Sequence, residues 1–562
     1  MHELVHLSFS ARANHLTTHF FNRQESYFDY GIDDSNFTIA NEKRQEDGQK
    51  LGQISKKIRS KVDNYISFRQ GVGADGSTET FTPRCMLWDL KGGYGSLKRY
   101  NALYETEDTF VPQDVVRVEL PKASESEWIK KLDQVGTTTS NALPLVSDQT
   151  GRYWADYSGV FHHPRALMEV QGYLYDPDHA PKGLAKGIEL SSISKLSKRK
   201  KQEAEFRLYD TGVEIFREEL NGAGEESIET QFRNILEECD LLGGVNVVVD
   251  IDSAWGGFSY EALRLIRDSY VSKGTIAVWG IEDNDGGEGR AEMCSRISTV
   301  LALSSLASAY IPLALPSRLA SSSSWRAGGL FDSAFESITL PARLATSEAE
   351  YMSIADIIAK ASQGIDGERR ILAGLKQMRG SKSLDLGGVN SDNAWWMDRR
   401  QKVEWRSKPL YKRRQVVCGP GKFIVVRGEE GKHIMDANWN RFATIAAAES
   451  NQNIDEWTQN SQRVDITLSE PMPTSEIDVH SGMEPEEATA TSGLWSSRQT
   501  RVTAREMAGF ARRWWEIGNN TGESGDIVEE LDELAELYNV DGGGWYDDGF
   551  GFNSDDEGDD FD

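Results

Sequence analysis

The stretch VNVVVDIDSAWGGF at residues 245–258 decides the fold of this chain. Its first half, residues 245–251, is apolar and rich in β-branched side chains, which is typical of a strand buried on both faces. A polar loop follows at residues 252–257, and the apolar side chains after it recur at helical spacing. A helical pattern precedes the stretch, and another apolar strand follows at residues 275–279. This helix–strand–loop–helix–strand order predicts a parallel sheet that is covered by helices on both sides.

The bulk composition describes a large folded chain without a basic surface. The chain has 562 residues, of which 38% are hydrophobic, and this length predicts at least two packed domains with appendages. Its formal net charge is -27. We therefore expect no direct contact with nucleic acid, because phosphate binding requires a basic surface. The four cysteines include no Cys-x-x-Cys pair, which indicates a reducing compartment.

The periodic segments and the polar stretches between them predict both the fold class and the domain boundaries. The predicted fold class is α/β, with a parallel sheet flanked by helices, followed by a smaller α+β domain and an acidic C-terminal tail. The predicted segments are residues 1–120 with a polar insertion at about 36–80, the parallel-sheet segment at 121–320, a second α+β domain at 321–466, a flexible linker at 467–496, and helices with the acidic tail at 497–562.

The sequence predicts no membrane-spanning or targeting segment. No apolar run approaches the roughly 20 residues that span a bilayer. Residues 1–9 alternate like a strand and lack the basic start of a targeting peptide. The residue chemistry alone predicts a cytoplasmic protein, or one bound peripherally to an organelle. A basic amphipathic helix at residues 501–515 is suited either to lie on a membrane surface or to dock against its own chain.

Three loops stand where a ligand of an open α/β sheet binds, at the ends of strands that lead into helices. They are residues 10–14, 89–95 and 252–258. A phosphate site needs backbone N–H groups that point inward, and glycines allow the backbone to approach closely. His15 and His19 are four residues apart on the first helix, but the sequence offers no third ligand, so we predict no metal site.

The order of these three loops resembles that in tubulins. Residues 1–22 resemble the opening strand, phosphate loop and first helix of tubulins. Residues 82–97 (TPRCMLWDLKGGYGSL) resemble the segment in which Pro-Arg leads a strand into an Asp-Leu-Glu-Pro-Gly loop. Residues 232–270 resemble the tubulin helix, strand and glycine-rich signature loop. The resemblance implies a tubulin/FtsZ-like parallel sheet over roughly residues 1–320.

Three segments resemble more closely the Misato family of tubulin-like proteins: HLSF at residues 6–9, the TPR…DLKG core at 82–92, and W…DY…HPR at 154–165. From these segments the chain is identified as a fungal-type member, with a Misato segment II part at 1–120 and a Misato tubulin-like domain at 121–320. The resemblance implies a role in the distribution and partitioning of mitochondria and in the inheritance of mitochondrial DNA. It also implies a location on the outer surface of mitochondria, bound peripherally, and in the cytoplasm.

The departures from tubulins concern the phosphate loops. The tubulin loop Gly-Gly-Gly-Thr-Gly-Ser-Gly corresponds here to SAWGGFS at residues 253–259, in which Trp255 and Phe258 add bulk. In the second loop Asp89 is retained, whereas Lys91 replaces an acidic residue that would help to hold magnesium. The residues that remain as candidates for binding a nucleotide are Ser10, Asn14, Asp89, Lys91, Gly256 and Gly257.

We therefore expect a scaffold that is not an enzyme and holds neither a cofactor nor a metal ion. Two alternatives stay open on the sequence alone. One is a GTP-binding switch or weak GTPase with degenerate phosphate loops, and the other is an accessory of tubulin or of chaperonin-linked cytoskeletal assembly. The predicted partners are proteins, with tubulin and chaperonin subunits as candidates. The sequence leaves the oligomeric state open.

Overall fold

The computed structural model describes residues 2–28, 61–72, 79–95, 126–130, 150–175, 183–185, 205–222, 228–282, 290–315, 323–365, 367–379, 382–387, 418–428, 432–449, 452–459, 461–467, 490–497, 499–518 and 524–538. Its strands are β1 (Glu3–Phe9), β2 (Phe68–Val72), β3 (Glu79–Pro83), β4 (Cys85–Lys91), β5 (Leu167–Tyr175), β6 (Gly183–Ala185), β7 (Leu242–Asp250), β8 (Ile276–Ile281), β9 (Ala309–Leu313), β10 (Gly374–Arg379), β11 (Lys382–Asp385), β12 (Cys418–Arg427), β13 (Ser461–Ile466) and β14 (Ala490–Ser497). Its α-helices are α1 (Ala11–Glu25), α2 (Tyr209–Gly222), α3 (Ile228–Glu237), α4 (Trp255–Ser269), α5 (Arg290–Leu306), α6 (Ser324–Thr339), α7 (Ile354–Ala361), α8 (Lys432–Glu449), α9 (Ile454–Gln459), α10 (Gln499–Gly518) and α11 (Ser524–Leu537).

A seven-stranded sheet forms the centre of the first domain, in the order β6-β5-β4-β1-β7-β8-β9. Neighbouring strands are parallel except for β5 and β6, so the predicted α/β sheet is confirmed. Phe9 of β1 pairs with Trp88 of β4 on one side and with Val249 of β7 on the other. The strands therefore end at one edge, where the described residues that follow β1, β4 and β7 meet. We call this the carboxyl edge.

Helices cover both faces of this sheet. On one face α1 packs against α6, and α6 also contacts the second sheet through β10, β12 and β14. On the other face α2, α4 and α5 pack in a row, and α10 packs on α5. The sequence boundary at residue 321 assigns α6 to the second domain, but its contacts place it between the two domains. Its side chains from Ala327 to Thr339 are buried, because both of its sides are covered.

The second domain is built on a five-stranded sheet in the order β11-β10-β14-β12-β13. Strand β14 is its central strand, and all of its residues are buried. It pairs antiparallel with β10 and with β12. The sequence places the end of a flexible linker here, because ATSGLWSS is rich in small and polar residues. Its burial comes from the two neighbouring strands, which local composition does not reveal. Residues 468–489 of the predicted linker lie outside the described residues.

Part of the predicted polar insertion at 36–80 is folded. Strands β2 and β3 form a two-stranded antiparallel sheet, with Phe68 paired to Pro83. Val62 forms an isolated antiparallel bridge with Leu344, which ties the end of the insertion to the segment after α6. Residues 29–60 lie outside the described part of the chain.

The C-terminal helices α10 and α11 pack against each other and against the first domain. Trp515 of α10 and Leu531 of α11 are buried in the core beneath them. The exposed guanidinium groups of α10 pair with acids of α11, with Arg512 2.5 Å from Asp532 and Arg505 3.4 Å from Glu536. Of the two alternatives for this basic helix, the structure shows docking on its own chain. Among the described residues, no helix is both long and apolar enough to cross a membrane.

Candidate functional site

The first loop of the carboxyl edge is closed by its own backbone. Ser10 is buried and adopts a φ of 117°, which is unusual for a residue other than glycine. Its hydroxyl accepts a hydrogen bond from the Ala13 N–H at 3.0 Å and so caps α1. Asn14 is fully buried, and its side-chain Nδ2 donates to the Trp88 carbonyl oxygen at 3.0 Å. Both candidate residues therefore join β1 and α1 to β4.

Asp89, in the second loop, is 1% exposed and is held by groups of the chain itself. Its Oδ1 accepts from the Leu90 N–H at 2.7 Å, and its Oδ2 accepts from the Trp154 indole Nε1 at 2.9 Å. A Cβ atom at Gly93 would lie 2.3 Å from the Asp89 carboxyl carbon, so this glycine makes room for the carboxyl group. Burial raises the pKa of Asp89 to about 7, although these hydrogen bonds oppose the shift.

Lys91 is half-buried at the end of β4, and its neighbour Gly92 is tied to the next strand. The Gly92 N–H donates to the Glu169 carboxylate at 3.0 Å. The Tyr94 hydroxyl lies 2.6 Å from the Met168 carbonyl oxygen. This loop is therefore fastened to β5 rather than left as an open glycine turn.

The third loop is shorter than the sequence suggests, because α4 begins at Trp255. Gly256 and Gly257 consequently lie within the helix. A Cβ atom at Gly256 would lie 2.1 Å from the Thr299 hydroxyl oxygen of α5. A Cβ atom at Gly257 would lie 2.0 Å from the Tyr209 carbonyl oxygen of α2. Each glycine therefore allows a neighbouring helix to pack closely. The bulky side chains of Trp255 and Phe258, on either side of the two glycines in the sequence, are buried.

Carboxylates and arginines are paired along the same edge. Arg12 lies 3.8 Å from Asp250, which follows the apolar part of β7 and is fully buried. Arg296 of α5 lies 2.5 Å from Asp252 and 2.8 Å from Glu282. Arg12 and Arg296 thus have carboxylate partners from the chain, and a phosphate group would have to compete with these carboxylates.

A stack of three rings fills the space between the start of α6 and the outer side of α1. The Trp325 ring is stacked on His19, with 3.4 Å between ring centroids, and on Tyr157, with 4.1 Å. His19 Nε2 also lies 2.9 Å from the Trp325 carbonyl oxygen. Burial lowers the pKa of His15 to about 3, with Arg12 adding to the shift. Within the described residues, no group of three or more His, Cys, Asp or Glu side chains is placed to hold a metal ion.

Comparison with known proteins agrees with this architecture. The family model for the Misato Segment II tubulin-like domain matches residues 2–134, and that for a tubulin domain matches residues 188–344. The DML1 protein of Yarrowia lipolytica is 31% identical over 385 residues, which cover 66% of this chain and 71% of that protein. The chain belongs to the Misato family of tubulin-like proteins.

Other members of the Misato family give similar values. The dml1 protein of Aspergillus niger is 34% identical over 61% of this chain and 62% of its own length. That of Aspergillus oryzae is 32% identical over 69% of this chain and 68% of its own length. The match to the tubulin domain extends to residue 344, so in this Misato-family chain it includes α6, which the sequence assigned to the second domain.

The tubulin-like fold implies a guanine nucleotide at the carboxyl edge, and the residues of this Misato-family chain do not fit one. The space beside Gly256 and Gly257, which a phosphate would need, is occupied by the Thr299 side chain and the Tyr209 backbone. Asp89 is enclosed by Trp154 and Gly93 and is not presented to a bound ion.

The sequence motifs brought the right loops together but missed the residues that close them. In the sequence Trp154 belongs to a family motif, and no local pattern links its indole to Asp89. Phe206, Tyr209 and Thr299 carry no motif at all. The one local signal for close helix packing is Gly212 within an otherwise good helical pattern, because glycine in a helix interior is unfavourable without a packing reason.

Proposed function

We propose that this chain is a non-enzymatic, tubulin-like scaffold that acts in the distribution and partitioning of mitochondria and in the inheritance of mitochondrial DNA. The mitochondrial part of the proposal rests on membership of the Misato family, because resemblance to that family implies a mitochondrial role. The scaffold part rests on the carboxyl edge, where an enzyme of this fold would carry its reacting groups.

The observation that carries the scaffold proposal is the position of Asp89 and Asn14. Both side chains are almost fully buried and are bonded to Trp154, Leu90 and the Trp88 carbonyl group. A group that activates water or holds a metal ion must reach the substrate, and these groups instead join α1, the end of β4 and the segment around Trp154. A structural role therefore accounts for both polar side chains.

We further propose that the chain works through protein partners, on the outer surface of mitochondria and in the cytoplasm. The basic helix α10 buries Trp515 against the first domain and pairs Arg512 with Asp532, which favours attachment through a protein over insertion of this helix into lipid. Tubulin and chaperonin subunits stay candidate partners, and a role as an accessory of their assembly stays an alternative. No contact within the described residues favours it over the mitochondrial role.

Rescue of cells that lack the protein tests this proposal. The Asp89→Asn variant removes a carboxylate that a nucleotide-dependent enzyme would need, and it keeps one acceptor oxygen for either the Leu90 N–H or the Trp154 indole N–H. We expect it to restore mitochondrial distribution and mitochondrial DNA retention as well as the wild-type chain. Microscopy of mitochondria and the copy number of mitochondrial DNA are the measurements.

The control for rescue is Glu336→Ala, which breaks a buried charge network and should lower the amount of folded protein. If Asp89→Asn accumulates as a folded protein at the wild-type level and still fails to rescue, the non-enzymatic proposal is wrong. Cell fractionation tests the location separately. Complete absence of the chain from purified mitochondria would contradict the proposed outer-surface location.

A further inference from the structure

Helix α2 and Phe206, three residues before its start, lie over the N-terminus of α4 at the carboxyl edge. The Ala254 N–H donates a hydrogen bond to the Phe206 carbonyl oxygen at 3.1 Å. In a phosphate-binding turn, an N–H at the start of such a helix would donate to the phosphate. Here a carbonyl oxygen of the same chain takes that position as acceptor.

The other N–H groups of this turn that have partners also donate within the chain. The N···O distances of these hydrogen bonds are close to the usual value, and the acceptor oxygens belong to β8, to β7 and to the turn itself. Ile251 donates to Ile281 at 3.1 Å, Asp252 to the Asp250 carboxylate at 3.0 Å, and Gly256 to Ser253 at 3.1 Å.

Two glycines bring α2 and α4 into backbone contact, and we call this pair, Gly212 and Gly257, the glycine seam. A Cβ atom at Gly212 would lie 1.8 Å from the Ala254 carbonyl oxygen, and one at Gly257 would lie 2.0 Å from the Tyr209 carbonyl oxygen. The helices therefore leave no space for a side chain between them. A ligand could enter only if α2 moved away as a whole.

Phe206 secures the start of α2. Its side chain is fully buried, and its φ of 55° is a left-handed conformation that residues other than glycine rarely adopt. Such a conformation persists only where the surroundings hold it. The Phe206 ring packs between Tyr173, at 4.7 Å between centroids, and Trp255, at 5.2 Å. This packing supplies the restraint and directs the Phe206 carbonyl group towards Ala254.

Contacts along α2 hold it in the same place. The Tyr209 N–H donates to the Ser295 hydroxyl oxygen of α5 at 3.1 Å, which satisfies a free donor at the start of the helix. Further along, Arg217 lies 2.9 Å from Glu261 of α4, and Glu261 is buried.

We infer that α2 is a permanent internal seal over the phosphate-loop position of this tubulin-like fold, so that the chain excludes guanine nucleotides and holds its carboxyl edge in one conformation. The edge then has no nucleotide-dependent states between which to change, and partners meet the same surface at any ratio of GTP to GDP. This inference concerns the binding site alone and stands independently of the mitochondrial role.

A nucleotide titration of the full-length chain tests the seal directly. A ligand that binds only the folded state raises the midpoint of thermal unfolding as its concentration rises above the Kd. We expect no shift with GTP or GDP in the presence of Mg²⁺ up to concentrations on the order of 1 mM, and no heat of binding by calorimetry. A midpoint that rises with nucleotide concentration, or saturable binding, would overturn the inference.

Matched glycine-to-alanine variants test the seam. Gly212→Ala and Gly257→Ala each place a methyl group against backbone, so we expect a lower unfolding midpoint and faster hydrogen exchange in residues 209–222. The control is Gly509→Ala in α10, where the nearest atom to a new Cβ is the Arg513 guanidinium at 3.8 Å. This variant should keep or raise the midpoint, because alanine favours the helix. If the glycine seam variants and the control variant had the same unfolding midpoint and the same hydrogen exchange in residues 209–222, the inference that α2 is a seal would be contradicted.

Hydrogen exchange of the unmodified chain tests whether α2 stays closed over the phosphate-loop position, even if the glycine seam variants do not fold. The Ala254 amide and residues 209–222 should exchange as slowly as the core strand β7 without nucleotide, and at an unchanged rate with GTP. Rapid exchange of these amides that slows on addition of GTP would show that α2 opens to admit the nucleotide, and the inference would fail.

Discussion

At the scale of single residues, Asp89 shows how a retained side chain acquires a different role. Its loop position is that of an acidic group in a nucleotide site, but here it is enclosed by Trp154, Leu90 and Gly93. Burial in this setting raises its pKa from 3.8 to about 7. Its ionised form is therefore disfavoured in the folded chain, and stability should depend on pH through this group.

The sign of that dependence follows from the direction of the shift. Between the unfolded pKa near 4 and the folded pKa near 7, folding takes up a proton at Asp89. The contribution of Asp89 to the free energy of unfolding is therefore greatest at low pH and falls as pH rises through this window. We expect the free energy of unfolding of Asp89→Asn, relative to that of the wild type, to rise with pH across the same window by up to about 4 kcal/mol.

Chemical denaturation at several pH values between about 4 and 8 is the measurement for this change. Asp268→Asn, which removes a carboxylate from an exposed position on α4, controls for the loss of one negative charge. If the difference between Asp89→Asn and the wild type is the same at every pH, Asp89 does not titrate in the predicted window.

At the scale of secondary-structure elements, the C-terminal hairpin α10–α11 shows that a basic amphipathic helix need not face a membrane. Its apolar side is buried against the first domain, and the Tyr538 hydroxyl lies 3.1 Å from the Ile371 carbonyl oxygen at the end of the hairpin. Its exposed arginines face the acids of α11. The hairpin is therefore part of the core of this domain.

Two substitutions in α10 separate packing from charge. Trp515→Ala should lower the free energy of unfolding by about 3–5 kcal/mol, because a buried aromatic side chain is lost. Arg512→Ala should change it by at most about 1 kcal/mol, because the ion pair is exposed. Denaturation measures both changes in the free energy of unfolding. Sedimentation with anionic vesicles tests the alternative that α10 binds a membrane surface. Vesicle binding by the wild type that is lost in Arg512→Ala would show that this helix serves a membrane.

At the scale of the whole molecule, a buried charge network joins the two domains through α6. Glu336 of α6 lies 3.1 Å from Arg343 and is also paired with Arg427 of β12. The Tyr27 hydroxyl, beyond the end of α1, donates to Glu336 at 3.1 Å. Burial alone would raise the pKa of Glu336, but Arg427 and Arg343 outweigh it and hold that pKa at about 2. The first domain and the second sheet thus share one buried carboxylate.

Removing that carboxylate should weaken the junction between the domains. Glu336→Ala leaves the buried guanidinium groups of Arg343 and Arg427 without this carboxylate. We therefore expect a loss of about 3–5 kcal/mol in the free energy of unfolding. The control, Arg463→Ala, removes partly exposed pairs with Asp436 and Asp465 and should cost about 1 kcal/mol or less for each pair. Urea denaturation measures both, and a cost for Glu336→Ala no larger than the control would show that the network does not stabilise the junction.

The sequence by itself determined the parallel sheet, the three loops at its carboxyl edge and the Misato-type segments. These features are local: a β-branched run such as residues 245–251, a helical repeat and a glycine turn are each visible within about twenty residues. The same local signals placed Ser10, Asp89 and the α4 glycines at one edge, because parallel strands end on the same side.

The tertiary structure alone decided what fills that edge and which strands complete the second sheet. Strand β14 resembles a linker until β10 and β12 are seen on either side of it. Gly257 resembles part of a phosphate loop until the Tyr209 carbonyl group is seen against it. Each depends on a contact between segments far apart in sequence, and such contacts are set by packing of the whole chain and not by the properties of a local stretch.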